Sequence, residues 1–255
     1  IEGVNTSTTG GGSGVILGSA NTLTLSGSSV AIDGRNIGKG DGTTNGLMNY
    51  ATVTSTTGAV SLGGVSQKDN AMSLQGAITG KTDVNITAQA GDSSNTATSW
   101  GVYLNKTVTA QTGNISLTAS SNSTSTASAY LNTGASLVTS DTGKSITVNA
   151  NTLQIDTSAT PASINAGSSG TVNILQVTNG VAIDLGGSDV MTSGSNVLGL
   201  SNAELGRVTA GQLNIGNSSS GNITVSSAVT TVDAAGNLAL TTGGNLAINA
   251  ALQTG

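Results

Sequence analysis

The chain has 255 residues, a net charge of −5, no cysteine, no histidine and only 7% charged residues, where about a quarter is usual. That excludes a disulfide framework and a thiolate metal site, and it removes the commonest general base and imidazole ligand. The Lys and Arg residues are scattered singly and offer no basic patch for phosphates, so nucleic acid is not expected as a partner.

Solubility must come from Ser, Thr and Asn. Hydrophobic residues, mostly Val, Ile and Leu, make up 36% of the chain, which argues against disorder. No run of eighteen apolar residues spans a membrane. No signal peptide is visible, the chain begins at Ile1, and it stops inside a repeated phrase. It therefore reads as a piece of a longer protein.

Residues 1–46 are the least regular. Their GKGDGTTNG (38–46) sets Asp41 among glycines, as calcium turns do. From residue 47 one plan recurs in LMNYATVTSTTGAVSLGG (47–64), AMSLQGAITGKTDVNITAQA (71–90), GVYLNKTVTAQTGNISLTAS (101–120) and SAYLNTGASLVTSDTGKSITVNA (128–150). An apolar strand comes first, a second follows across a polar turn, and a third follows a Gly. Each strand alternates Leu, Ile or Val with Ser, Thr or Asn, the period-2 pattern of one buried face. Polar runs at 91–99 and 120–128 account for the unequal unit lengths.

Three short strands per unit of twenty to thirty residues predict an all-β, right-handed parallel β-helix. It would be one solenoid over 1–255 with some ten coils. At about 4.8 Å per coil the rod would be roughly 50 Å long. The handedness rests on general chirality and on the family resemblance below. A sandwich would need hairpin turns and usually an aromatic core, and propeller blades would repeat near forty residues. Both fit worse.

Within SWGVYLN and SAYLN, Trp100, Tyr103 and Tyr130 are candidates for stacking on a sugar. The plainer reading is an aromatic ladder, Tyr103 beneath Tyr130. Asn105 and Asn132, each after a Tyr-Leu pair, are candidates for a stacked amide ladder. Further on, DLGGSD (184–189) places Asp184 and Asp189 as weak metal candidates beside Asp41, against the plainer reading of glycine–aspartate corners. In 198–217, Ser201 and Glu204 have capping-box spacing, so a short helical turn near 201–207 would decorate one corner. Acids are scattered without a D-D or D-x-D pair, so polysaccharide cleavage, which needs paired carboxylates, is the lesser reading. No enzyme activity and no cofactor are expected. Asn-x-Ser/Thr sequons at Asn5, Asn85, Asn105, Asn114, Asn122, Asn217 and Asn222 carry glycans only where the source has the machinery.

The phrases GNLAL and GNLAI near the end, together with SNAELGRVTAGQLNIGNSSSGNITV (201–225), resemble the passenger regions of filamentous haemagglutinin-like exoproteins secreted by the two-partner route. The likeness is strongest over 198–255 and weak over 1–46. It implies a right-handed β-helix at a bacterial surface or outside the cell, working in adhesion, biofilm formation or host contact. Its secretion motifs of the N-P-N-L and N-S-N-L type are absent, which fits an internal piece of shaft, and no catalytic residues transfer. The expected partner is an extracellular glycan or cell-surface receptor, or another copy joined end to end in a filament.

Overall fold

The computed structural model describes residues 1–7, 11–18, 23–38, 45–91, 99–192, 195–232 and 237–254. Its sheets are parallel throughout, and most strands pair with their counterparts in the neighbouring coils. This is a parallel β-helix with three faces. The first face stacks three-residue strands in a six-stranded sheet: Val15–Leu17, Leu47–Asn49, Met72–Leu74, Val102–Leu104, Ala129–Leu131 and Leu153–Ile155. The second stacks Thr24–Gly27, Thr52–Ser55, Ile78–Gly80, Thr107–Ala110 and Ser136–Thr139. The third carries the longest strands, such as Val60–Ser66, Val84–Ala90 and Ile115–Ser121. Glu2–Asn5 and Val30–Asn36 join this third face in register.

Register is what builds the core. On the third face Leu62, Ile86, Leu117, Val148, Ile174 and Ile215 sit one above another, and all are buried. On the second face Val53, Ile78, Val108, Leu137, Ile164 and Val208 do the same. The alternate residues point out, giving strands such as Val84–Ala90 a strict buried–exposed alternation. A slip of one residue would turn every Leu, Ile and Val of a strand outward, so each coil locks the next.

Toward the third face's end the inward ladder narrows to Ala88, Ala119 and Ala150. Ser163–Leu175 is one continuous strand of 13 residues, where the sequence pattern shows a break before GTVNIL. Its first part pairs with the second face and its last part with the third. Two glycines let it turn the corner without a loop. Gly167 has φ +74°, and a Cβ on Gly170 would lie 2.0 Å from the Ala166 carbonyl oxygen.

The regular stacking changes after Leu153–Ile155. The next pass of the chain along this side, Ala182–Leu185, does not pair with it. The chain doubles back through an antiparallel bridge between Val190 and Val197 and lays an extra strand, Val197–Leu200, against Ala182–Leu185. It then makes one helical turn, Asn202–Leu205, capped by Ser201 with both halves of the capping box formed, and rejoins the solenoid at Val208–Ile215.

Candidate functional site

Three of the chain's four aromatic residues meet on the outside of the first face. The register places Tyr103 directly against Tyr130, because both are the middle, outward residue of a three-residue strand. Their ring centroids are 5.5 Å apart, edge to face. Trp100 closes the group at 5.1 Å from Tyr103, tilted, and at 6.2 Å from Tyr130, stacked. The Trp100 backbone is held from the coil below, its N–H donating to Asn70 Oδ1 at 2.9 Å. All three rings remain half-buried, so packing against one another still leaves surface for a ligand. Burial foremost, and then the Asp156 carboxylate and Tyr103, push the Tyr130 phenol above its ordinary range; it therefore stays a neutral hydrogen-bonding group across physiological pH.

Beside the rings runs a chain of amides. Asn132 Nδ2 donates to Asn105 Oδ1 at 2.8 Å, and Asn105 Nδ2 donates to Gln75 Oε1 at 2.8 Å, linking successive coils 27 and 30 residues apart. Gln75 Nε2 passes the chain on to Ser73 Oγ at 3.0 Å. The Asn132 amide also donates to the Tyr103 hydroxyl at 2.7 Å, which ties the amide ladder to the aromatic patch. The structure thus brings Trp100, Tyr103, Tyr130, Asn105 and Asn132 into one continuous surface. Gln75 belongs to it too. Its signal was its place after the strand Met72–Leu74, where Asn105 and Asn132 follow the matching strands, but a glutamine in an asparagine position hides the alignment.

The weak metal candidates have other surroundings. Asp41 lies outside the described residues. Asp184 sits outward on its strand beneath Gly187, where a Cβ would come within 2.1 Å of its carboxylate. Asp189 accepts hydrogen bonds from the backbone N–H of Gly199, at 2.9 Å, and of Leu153. Among the described residues no three acidic side chains gather as a cation would require.

Asp189 and Glu204 together perform a structural task that the spacing of the sequence does not show. The N–H groups of Leu153 and Ile155 would ordinarily donate to a strand in the next rung. Here Asp189 accepts from Leu153, and Glu204 Oε1 accepts from Ile155 at 3.0 Å. On the far side the same carboxylates take Gly199 N–H and, through Glu204 Oε2, Ser201 N–H at 3.0 Å. Two side chains therefore substitute for a missing rung between Leu153–Ile155 and Val197–Leu200, satisfying backbone donors that would otherwise be orphaned. Desolvation in this gap is the main reason that the Asp189 carboxyl is pushed up to about 8; the neighbouring Glu204 charge adds to it, and the two backbone donors oppose it.

No helix among the described residues is long and apolar enough to cross a membrane. Comparison with family models, with curated proteins and with solved structures returns no match.

Proposed function

We propose that this chain is a stiff segment of an extracellular or bacterial-surface adhesin or fibre, of the filamentous haemagglutinin-like kind, and that it presents a glycan-contacting surface away from the cell. The observation that carries this reading is the in-register stacking of inward Leu, Ile and Val from coil to coil. A ladder in which every coil hydrogen-bonds to its neighbours resists bending and needs no disulfide. The outward aromatic trio supplies flat rings to cover the apolar face of a sugar, and the adjoining amide ladder supplies donors and acceptors for its hydroxyls. Asp189 and Glu204, the two carboxyls that the inserted strand brings together, are spent on backbone N–H groups. The surface supports binding rather than cleavage.

A glycan array probed with the purified protein tests this. Binding to a subset of neutral glycans that is lost in Trp100→Ala with the β-helix intact supports it. Unchanged array binding in that variant, or depolymerisation of any bound polysaccharide, overturns it.

A second reading rests on the outermost coils. Val4, Leu246 and Ile248 are exposed apolar residues on strands that come last in their sheets. Such edges accept a further strand, and copies added head to tail without closure form a filament. Electron microscopy over a range of concentrations separates the readings: rods of one-chain length favour the shaft, and filaments many chains long favour self-assembly.

A further inference from the structure

The extra strand Val197–Leu200 adds a rung to one side of the solenoid only. On the third face Ser145–Ala150, Ser163–Leu175 and Val208–Ile215 follow one another without an added strand. A rung added on one side acts as a wedge. At the corner between the third and first faces there is a cleft of about 520 Å³. Its lining comes from three separate stretches, 120–122, 178–182 and 195–197, with Asn151 among them. The last stretch is the returning arm of the inserted hairpin, so the cleft is built by the same interruption that Asp189 and Glu204 close off inside.

Asn151 ties one wall of the cleft together. Asn151 Nδ2 donates to Thr178 Oγ1 at 2.8 Å, and its Oδ1 accepts from the N–H groups of Val177 at 3.0 Å and Thr178 at 2.9 Å. Every lining side chain is a hydroxyl, a primary amide or a small aliphatic group, and none is charged. An anion finds no cation there, and a hydrocarbon finds a lining that is mostly hydroxyl and amide rather than apolar. A sugar hydroxyl donates and accepts at once, as Ser, Thr and Asn side chains also do, and small apolar patches from Val181, Ala182 and Val197 can meet the ring carbons. The volume lies within the range of about 300–1,000 Å³ typical of small-molecule sites.

We infer that this cleft binds one uncharged sugar unit, at a site separate from the aromatic patch. The inference shares its ligand class with the adhesive reading but depends on none of the same residues. It is tested by titrating isotope-labelled protein with the methyl glycosides of glucose, galactose, mannose and N-acetylglucosamine, with glucuronic acid and glycerol as controls, while following backbone amide signals. At least one neutral glycoside should shift the signals of Asn151, Gly180 and Asn196 saturably in the millimolar range.

Two blocking variants approach from opposite walls. Ala182→Trp and Ser120→Trp each replace an outward residue of an alternating strand, so the core is untouched. Each should weaken binding, read at the Asn151, Gly180 and Asn196 signals, about tenfold or more, while contact with the aromatic patch is read separately at the Trp100, Tyr103 and Tyr130 signals. The inference is overturned by the absence of saturable shifts with every glycoside, by equal shifts with glycerol or glucuronic acid, or by undiminished binding in both blocked variants. Shifts confined to the Trp100, Tyr103 and Tyr130 signals would place the sugar on the aromatic rings, overturning the cleft while leaving the adhesive reading intact.

Discussion

Replacing Asp189 with Asn should abolish most of this protein's pH-dependent loss of stability. The carboxyl of Asp189 lies in the one-rung gap, deeper than the residue as a whole, which is half-buried. Its pKa rises from an ordinary 3.8 to about 8. A folded-state pKa raised above the unfolded one means that the folded state holds a proton the unfolded chain has given up. The stabilisation is complete below about pH 4, declines across the window between the two pKa values, and is gone above about pH 8. Each unit is worth about 1.4 kcal/mol, so four units set a ceiling of about 5–6 kcal/mol. Relaxation and water entry bring the realised loss to about 2–3 kcal/mol. In the Asp189→Asn variant the amide oxygen can still accept from Gly199 N–H, and the side chain brings no second negative charge beside Glu204. Urea unfolding followed by circular dichroism should therefore show the wild type losing stability between about pH 5 and about pH 8, with Asp189→Asn nearly flat and the more stable of the two at the upper end. Parallel pH profiles for the two proteins would refute the reasoning, for they would mean that the Asp189 carboxyl is ionised in the fold throughout.

The inward ladder predicts that Leu117→Ala, at a position with 0% exposure between Ile86 and Val148, costs about 2–5 kcal/mol in urea unfolding. Because coils couple only to their neighbours, the loss should appear as earlier opening of the adjacent coils in hydrogen exchange. Removing the middle amide in Asn105→Ala leaves partners on both sides, Gln75 and Asn132, with a lost hydrogen bond each, for about 1–3 kcal/mol; a cost no larger than that of an exposed surface substitution would show that solvent replaces the ladder. Ser201→Ala removes the helix cap and the hydroxyl that bonds Glu204 Oε2 at 2.7 Å. It should cost about 1–2 kcal/mol, with faster exchange at Ile155 N–H as the readout that Glu204 has lost its anchor.

Much of the fold can be read in the chain because a solenoid is locally coded. Alternation within GNISLTA or DVNITA sets which side chains point inward, and the unit spacing sets which residues stack, so Tyr103 over Tyr130 and Asn105 beside Asn132 are legible before any coordinates. Gln75 was hidden because a ladder tolerates a different amide at one rung. Asp189 and Glu204 were harder to read. Ser201 and Glu204 announce a capping box three residues apart, but the other oxygen of Glu204 serves Ile155, 49 residues away, and no local pattern records that.

Strand, turn and core positions followed from residue order alone, because period-2 hydrophobicity and glycine corners act within a few residues. The inserted rung, the carboxylates that bridge its gap and the cleft at the corner beside it were decided only in three dimensions. They depend on which coil fails to meet the next, and that mismatch exists only once the whole stack is assembled.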